Sequence, residues 1–411
     1  MKKTLITLVA VAACGAAVGA GLGPQSYVQE GLVMHFDGID NQATGAHVPD
    51  AMTWKDLKGA ADDWVLTEGC GSFATTGNAL DCIATRKSGY AAKNTASATL
   101  GKVYSIETAL RSDGAQATRY VFRLGPYDTY GRCLTFGSGR QVYGVPYSVT
   151  KIGYYDTGKA EMTVSVAYNN EGNAHTVTRM LINCADVTDY GSSAHPSWYQ
   201  DAATPVLGAA WGGGTMFLGP VFSMRGYSRP LEVGEATFNT HLDQARFGLC
   251  GNVHVIGVPR EFGSPSPAYG SVTNAPLEVI SFSAGPLTEY ADGVTAADGG
   301  EGVRAKCLGY SFPGSDEIHA GTSFRSEFVD GMVVIWRWQV QYRVTVDGQN
   351  PQWVDDGADV TVTVPAGTSA LIGTDTPVTI DGTKATFKVT RACDVKPLMG
   401  GTGVVRYWTG A

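Results

Sequence analysis

Short apolar runs recur along the first half of the chain and are separated by turn-forming Gly, Asn and Asp. The clearest runs occupy residues 31–36, 104–110, 161–168 and 176–182. Their lengths are typical of β-strands, which are shorter than most helices. Because they follow one another without helical spacing between them, they predict a β-sandwich or barrel and not alternating β and α units.

The longest regular alternation lies at residues 334–347. One face carries Val334, Trp336, Trp338, Val340, Tyr342, Val344 and Val346, and the other carries Ile335, Arg337, Gln339, Gln341, Arg343, Thr345 and Asp347. This period of two predicts one strand, and about 13 residues at about 3.3 Å each span roughly 43 Å, beyond a typical strand. We interpret it as a strand that closes one module and opens the next, which makes the junction stiff. Trp336 and Trp338 share a face with aliphatic residues, which favours a core position over a sugar-binding platform.

One segment has helical spacing. Residues 221–227 form a plausible strand, and Pro230 ends it because proline cannot donate to a β-ladder. Leu231, Phe238, Leu242 and Ala245 then fall on one helical face, Glu232 and Glu235 place negative charge near the helix start, and Gly248 marks its end. The pattern predicts a helix of three to four turns that lays its apolar face on the sandwich.

Composition and charge narrow the range of partners. The chain has 411 residues, a formal net charge of −8 from 30 basic and 38 acidic residues, and 53 glycines. This length predicts two or three domains. The acidic balance and the absence of a basic patch argue against nucleic acid as a partner.

The N-terminus has the pattern of a secretory signal peptide. Lys2 and Lys3 precede an apolar run over residues 5–13, and small residues follow at 18–20. We therefore predict a signal peptide over residues 1–20 and a secreted or cell-surface protein. Cys14 follows a lipobox-like Val-Ala-Ala, so a lipoprotein is the alternative. No later segment has the roughly 20 apolar residues of a membrane span.

The spacing of the remaining cysteines does not define a set of disulfide bonds. Seven follow the signal peptide, at positions 70, 82, 133, 184, 250, 307 and 393. Cys70 and Cys82 are close enough to form a disulfide, but mostly buried thiols are the simpler interpretation. No C-x-x-C pair is present, which argues against a cysteine zinc site.

Three motifs resemble a known family. Tyr227, Arg229, Leu231 and Glu235 are similar to the Tyr-x-Arg-x-Leu and acidic helix start that end laminin G-like, concanavalin A-like domains of bacterial surface proteins. Residues 27–38 resemble the family's first strand, and residues 53–59 with 64–66 resemble its Trp-x-Asp-Leu-x-Gly segment. Glu232 stands where the family usually has Ser or Thr. The resemblance implies a jelly-roll sandwich closed by one short helix over residues 26–249.

Two smaller β-sandwich modules are expected after this domain. A Pro/Ser/Gly-rich passage at residues 259–270 reads as a linker or the entry to a new module. We place one module at 250–340, which resembles modules that follow such domains in gut and aquatic bacteria. The other, at 341–411, is similar to internalin-type B-repeats. The predicted fold class is therefore all-β throughout.

Motifs for catalysis are not visible in the sequence. The alternating carboxylates of related glycan hydrolases, H-E-x-x-H, a P-loop and G-x-S-x-G do not occur. The seven histidines are scattered, and His35 on its apolar strand is more typical of a packed histidine than of a ligand. We therefore expect a protein that is not an enzyme, with a hydrolase of unrecognised residues as a distant alternative.

The family resemblance implies a calcium site near the rim of the sandwich. Asp37, Asp40 and Asn41 follow the first strand, and together with Asp56 they supply oxygen ligands of the type that Ca²⁺ prefers. The alternative is that Asp and Asn occur here because they form turns.

Aromatic residues in polar surroundings are the candidate ligand contacts. Tyr127, Tyr130, Tyr143, Trp198 and Trp211 lie among Gly, Pro and Asp, which places them on predicted loops. Exposed, they suit carbohydrate binding; packed onto the sandwich, they do not. The sequence thus favours non-catalytic recognition of a glycan or a cell-surface protein, with a spacer role in a surface assembly as the alternative.

Overall fold

A computed structural model describes most of the chain. It covers residues 22–59, 63–66, 72–73, 79–82, 100–101, 103–112, 119–124, 132–136, 141–146, 152–156, 161–169, 174–188, 195–196, 206–207, 217, 219–272, 279–285, 287–289, 302–315, 317–347, 349–374 and 376–400. The predicted signal peptide and Cys14 lie outside these residues. None of the described helices is long and apolar enough to cross a membrane.

The first domain consists of short antiparallel strands. They are β1 Leu32–Asp37, β2 Thr53–Trp54, β3 Trp64–Val65, β4 Ser72–Phe73, β5 Leu80–Cys82, β6 Val103–Arg111, β7 Arg119–Leu124, β8 Arg132–Phe136, β9 Gln141–Pro146, β10 Ile152–Asp156, β11 Glu161–Asn169, β12 Ala174–Ile182, β13 Ala185–Asp186, β14 His195–Pro196, β15 Val206–Leu207 and β16 Gly219–Tyr227. A short 3-10 helix, Pro24–Ser26, precedes them.

Two sheets form the sandwich. Nine strands make one sheet, in the order β13-β12-β11-β6-β16-β5-β4 with β1 beside β16 and β14 beside β12, and β10-β9-β8-β7-β15 make the other. The core between them holds Phe36, Trp54, Trp64 and Tyr104 from the first half of the domain and Val121 from β7. Alternation on β6 and β16 sends Ser105, Glu107, Ser223 and Arg225 to the opposite face of the large sheet, which is also buried.

The helix α1, Val233–Phe247, follows this sandwich, and Gly248 ends it in the left-handed conformation, as predicted. At its start, Glu235 Oε2 accepts a hydrogen bond from the Glu232 amide at 2.9 Å, and Arg229 binds the same carboxylate through two nitrogens at 2.6 and 2.8 Å. Glu235 therefore serves as the cap that the sequence lacks at position 232.

The rest of the described chain is again built from strands. They are β17 Val253–Val258, β18 Gly270–Val272, β19 Val279–Ser283, β20 Leu287–Glu289, β21 Val303–Ser311, β22 Ser323–Glu327, β23 Met332–Val346, β24 Gln352–Asp355, β25 Asp359–Thr363, β26 Thr368–Ile372, β27 Val378–Asp381, β28 Lys384–Lys388 and β29 Cys393–Met399. The order β18-β17-β23-β21-β20 forms the second module's main sheet, and β19-β22 lies beside it. The prediction of an all-β protein with a sandwich and one closing helix is confirmed for the described residues.

The strand β23 joins two cores, as its alternation predicted. Val334 and Trp336 lie in the core of the second module, and Val344 and Val346 lie in a separate core with strands β25, β28 and β29. Trp336 and Trp338 are buried, which confirms their core position. A single 15-residue strand therefore runs from one core into the next.

The helix packs on the sandwich only in part. Leu231 lies against the sandwich as predicted, with Ala236 beside it and Phe247 on Phe222, but Phe238, Leu242 and Ala245 do not. They contact Ile256 of β17 together with Val333 and Ile335 of β23, and Leu22 and Tyr27 complete this cluster. Ile335, predicted on the polar face of its strand, is buried for this reason. The helix is thus enclosed between the sandwich and the second module.

Candidate functional site

A layer of polar and charged side chains lies between the sandwich and α1. The strands contribute His35, Asp37, Glu107, Ser223, Arg225 and Tyr227, the helix contributes Asn239, Asp243 and Arg246, and Tyr27 lies among them. All are buried. Burying charges is costly unless each is paired and hydrogen-bonded, so the contacts of each group decide what this layer does.

Arg225 is at the centre of this layer. Its Nη1 and Nη2 donate to the two oxygens of Asp243 at 2.8 and 2.6 Å, and its Nε donates to Glu107 Oε2 at 3.1 Å. The guanidinium carbon lies 4.0 Å from the centre of the Tyr27 ring. Two acidic partners hold the pKa of Arg225 well above its usual value in spite of its burial. This contact ties the helix to strands β6 and β16.

Arg246 forms a second tie. Its Nη1 donates to Tyr27 Oη at 2.9 Å and to Asp37 Oδ2 at 2.5 Å, and its Nε donates to the Leu22 carbonyl at 3.1 Å. Burial alone raises the pKa of Asp37, but the guanidinium of Arg246 outweighs it, and the net pKa is lowered. Asp37 is therefore an ionised partner in a closed ion pair.

The pKa values of Glu107 and His35 in this layer are shifted as well. Burial raises the pKa of Glu107 to about 7, against the opposing effect of Arg225. Burial also lowers the pKa of His35 to about 3, although Asp37 opposes this shift. Perturbed pKa values are common at functional sites, but structural ion-pair networks produce them too. Because these side chains are closed to solvent, this layer positions the helix and offers no access to a substrate.

The predicted calcium ligands all bind the protein's own groups. Asp37 pairs with Arg246. Asp40 Oδ1 accepts from the amides of Thr44 and Gly45 at 2.7 and 2.8 Å, and the Asn41 side chain binds both backbone groups of Val48 at 2.8 Å. Asp56 Oδ1 accepts from the amides of His35 and Lys58 at 2.8 and 3.1 Å.

These contacts are those of turn-forming and loop-fixing residues. Within the described part of the chain, no three His, Cys, Asp or Glu side chains form a group that could hold a metal ion. A guanidinium lies where a cation at Asp37 would bind, so the like charges would repel. The calcium site stays a prediction from the resemblance.

The predicted ligand-binding aromatics are not placed by the structure. Tyr127, Tyr130, Trp198 and Trp211 lie outside the described residues. Tyr143 lies in β9, where the backbone alone is described. Their role in binding stays a prediction.

A small cavity lies where the second module meets the third. Its volume is ≈ 150 Å³, and it is lined by Pro259, Arg260, Phe262, Val303, Val340, Tyr342 and Asp356. Phe262, Val303 and Val340 are buried and form an apolar floor, Tyr342 is half-buried, and Arg260 and Asp356 are exposed at the rim. The lining thus combines an apolar floor with a few polar groups, in a volume smaller than the roughly 300–1,000 Å³ of most ligand pockets.

The electrostatics of the cavity centre on Tyr342. Burial and then the nearby Asp356 carboxylate raise the pKa of Tyr342, and Arg260 opposes them. The phenol is therefore protonated at neutral pH and is available as a hydrogen-bond donor. With Arg260 as a cationic donor and Asp356 as an anionic acceptor, the rim can bind hydroxyl, carboxylate or amine groups.

The sequence patterns did not predict this cavity. The Pro, Ser and Gly content of residues 259–270 predicted a linker or the entry to a new module, and the alternation of β23 predicted a core position for Tyr342. The available signal was the pair Arg260 and Phe262 inside that linker, since a solvated connection has little use for a buried aromatic residue. Asp356 joins them from a turn after β24, a contact that sequence distance conceals.

Comparisons with known proteins leave the family open. No protein-family model matches the sequence, and no curated protein does so. Among solved structures, a Trypanosoma rangeli sialidase is similar at 16% identity with a TM-score of 0.36, over 60% of this chain and 37% of that one. The same enzyme bound to a difluoro-nononic acid gives 14% identity, a TM-score of 0.38, and 60% and 36% coverage.

A glycan-binding module is also similar. The CBM40 module of a Ruminococcus gnavus IT-sialidase matches at 15% identity with a TM-score of 0.27, over 34% of this chain and 83% of the module. The chain spans about a third of the length of the sialidases that it matches. At these identities and TM-scores the likeness carries no argument about activity or ligand.

Proposed function

We propose that the protein recognises glycans, and that the cavity at the junction of the second and third modules binds one sugar residue. The observation that carries this proposal is the cavity itself, with Tyr342, Arg260 and Asp356 around an apolar floor. Its volume of ≈ 150 Å³ is about five times the roughly 30 Å³ that one water molecule takes up in the liquid. One pyranose ring is of that size.

The chemistry of the lining suits a sugar. The apolar floor matches the C–H face of a pyranose ring, while a phenol, a guanidinium and a carboxylate supply donors and acceptors for its hydroxyl groups. Burying those hydroxyls without partners would be unfavourable, so the three polar side chains set which sugar is accepted. The site assigns no covalent step, in keeping with a recognition role.

The framework around the cavity supports this role. Tyr342 and Val340 lie on β23, which belongs to two cores at once, and a site on rigid strands keeps its geometry when empty. A preformed site loses less conformational entropy on binding, which favours affinity for a small ligand.

The test is a glycan array followed by calorimetric titration of the full chain. We expect binding of selected glycans, and we expect Arg260→Gln and Asp356→Asn each to weaken Kd about tenfold, since a hydrogen bond to a charged group contributes about 1.5–3 kcal/mol. Asp381→Asn, an equally exposed carboxylate on β27, is the matched control and should leave Kd unchanged. Glycan binding that both rim variants retain in full would contradict the assignment of this cavity.

A spacer role is the second candidate, and it rests on a different observation. The helix α1 is buried between the sandwich and the second module, and β23 passes from the second core into the third. Both junctions are packed and not hinged. We expect small-angle scattering of the full chain to fit one fixed arrangement, and limited proteolysis to spare residues 250–272. Scattering that requires several arrangements would contradict the spacer role.

Export from the cytoplasm is part of both candidates, because residues 1–20 have the pattern of a signal peptide. Mass determination of the protein recovered from the culture medium or cell surface tests it. A mature chain that starts near residue 21 is expected. A chain that keeps residues 1–20 and stays in the cytoplasm would contradict it.

A further inference from the structure

A cysteine, a histidine and a glutamate from three different elements meet at the edge of α1. Cys184 lies in the turn between β12 and β13, His241 lies on α1, and Glu261 follows β17. Cys184 Sγ is 3.4 Å from His241 Nε2, and both oxygens of Glu261 are 2.9 Å from His241 Nδ1. The imidazole therefore connects the thiol to the carboxylate through its two nitrogens.

This arrangement has the order of a nucleophile, a base and a group that orients the base. A carboxylate on Nδ1 fixes the ring and stabilises the imidazolium when Nε2 takes up a proton. Burial lowers the pKa of His241, but the contacts with Cys184 and Glu261 outweigh it and raise the pKa to about 10. Cys184 and Glu261 are the titratable groups that face the ring. An adjacent imidazolium stabilises a thiolate, the reactive form of cysteine.

The backbone around the cluster is specialised as well. Cys184 has a φ of 68° and Asn183 a φ of 47°, the left-handed pair that a two-residue hairpin turn between Ile182 and Ala185 requires. This turn holds Cys184 at the end of β12, next to α1. Gly270 lies against the imidazole with a φ of 105°, and a Cβ added there would lie 2.9 Å from His241 Nε2. The glycine therefore leaves room at the nitrogen that faces the thiol.

All three residues are half-buried, and Cys184 is not in a disulfide. The side chains of His241 and Glu261 are 12% and 13% exposed, which limits the screening of their ion pair by solvent. Both nitrogens of the imidazole have partners, a carboxylate at Nδ1 and a thiol at Nε2.

We propose that Cys184 is the nucleophile of a thiol acyl-transfer site whose substrates are acyl donors such as esters and thioesters, with His241 as the proton carrier. The sulfur attacks the acyl carbon, a C–S bond forms, and the alcohol or thiol leaves with a proton from His241. Water then attacks the thioester, gives its proton to His241, and releases the acid and the free thiolate. Glu261 acts as a positioning residue, through His241.

The first test measures thiol reactivity in the reduced full chain. Iodoacetamide forms an S–C bond and releases iodide, and peptide mass spectrometry follows each cysteine separately. We expect Cys184 to react at least tenfold faster than Cys393 at pH 6.5. Cys393 is the internal control because it too is half-buried and outside any disulfide. Equal rates at the two cysteines would overturn the proposal.

The second test uses p-nitrophenyl acetate as acyl donor. We expect a burst of one nitrophenolate per chain, acetylation of the peptide that contains Cys184, and its slow loss by hydrolysis. Cys184→Ser should abolish the burst, and Cys393→Ser should leave it intact. Glu261→Gln should slow acylation at least tenfold and shift its pH profile upward, which a merely structural role would not do. A burst that survives Cys184→Ser would refute the assignment.

Discussion

Replacing Asp243 by asparagine should destabilise the protein far more than the loss of a surface ion pair. Asp243 accepts four hydrogen bonds, two from Arg225 and one each from Tyr27 at 2.8 Å and Ser223 at 3.1 Å. Asparagine has nearly the same volume, so packing is kept while the negative charge is lost. One of its amide positions then presents a donor to the guanidinium of Arg225.

The magnitude follows from the burial of both partners. The side chains of Arg225 and Asp243 are each 1% exposed, so water cannot replace the lost partner. Breaking a buried pair from one side costs about 3–5 kcal/mol. Glu107 offers incomplete compensation, because burial raises its pKa to about 7 and it is only partly ionised at neutral pH.

The assay is urea unfolding of the full chain, followed by tryptophan fluorescence and by circular dichroism. The matched control is Glu235→Gln, which weakens the Arg229 pair at 24% and 18% side-chain exposure and should cost about 0.5–1 kcal/mol. At about 2–4 °C per kcal/mol, Asp243→Asn should lower the melting temperature by about 6–20 °C. Coincident transitions from both probes would justify two-state values.

A loss for Asp243→Asn no larger than that for Glu235→Gln would refute the reasoning. A second arm separates charge from packing: the triple variant Glu107→Leu, Arg225→Met, Asp243→Leu removes all three charged groups together. Because well-packed apolar groups often replace buried ion pairs without loss, it should be more stable than Asp243→Asn alone. A triple variant that is less stable would show that side-chain shape, and not charge pairing, holds α1 to the sheet.

The remaining predictions concern single features of the fold, and each is read out by the unfolding free energy in urea. Gly248→Ala should cost about 1–2 kcal/mol because Gly248 has a φ of 67°. The control Gly285→Ala should cost less than about 0.5 kcal/mol, because Gly285 has open space around it and no left-handed backbone. Equal costs would contradict the role of Gly248 as the C-terminal cap of α1. Ile335→Ala should cost about 2–5 kcal/mol because Ile335 is buried under α1, whereas Gln339→Ala on the same face of β23 should be nearly neutral. Burial raises the pKa of Glu107 from 4.5 to about 7. The contribution of Glu107 to the unfolding free energy is therefore fully present below pH 4.5 and is lost as the pH rises through 7. Glu107→Gln should therefore gain stability relative to the wild type over that window, and a constant difference would contradict the shift. Burial lowers the pKa of His254 from 6.5 to about 4. The contribution of His254 to the unfolding free energy is therefore lost as the pH falls from 6.5 through 4, and His254→Gln should remove that loss.

Local patterns in the sequence were enough for the elements themselves. The alternation over residues 334–347 predicted a long strand, and β23 occupies Met332–Val346. The spacing of Phe238, Leu242 and Ala245 with Gly248 predicted the helix and its end, and α1 occupies Val233–Phe247. These features depend on the periodicity of neighbouring residues, so no long-range contact is needed to read them.

The sequence did not predict which surfaces these elements pack against. The apolar stripe Leu231, Phe238, Leu242 and Ala245 was expected on the first sandwich, but only Leu231 packs there, and the other three contact the second module. The outer face of the large sheet carries Glu107 and Arg225, which require polar partners. Polar side chains of α1 therefore lie against this face. Alternation along β6 and β16 placed those residues on one face, but it did not show that a second layer would bury them.

Both candidate sites were decided by the tertiary structure alone. Cys184 and His241 are 57 positions apart in the sequence, and His241 and Glu261 are 20 positions apart. The three residues belong to three different parts of the fold. Asp356 lies near Tyr342 because β24 pairs with β23, but Phe262 joins them only through the packing of the second module. By itself, the sequence determined the strands, the helix and the long strand that two cores share, because these depend on short-range periodicity. Which side chains meet across elements depends on the packing of whole faces, and only the folded chain decides that.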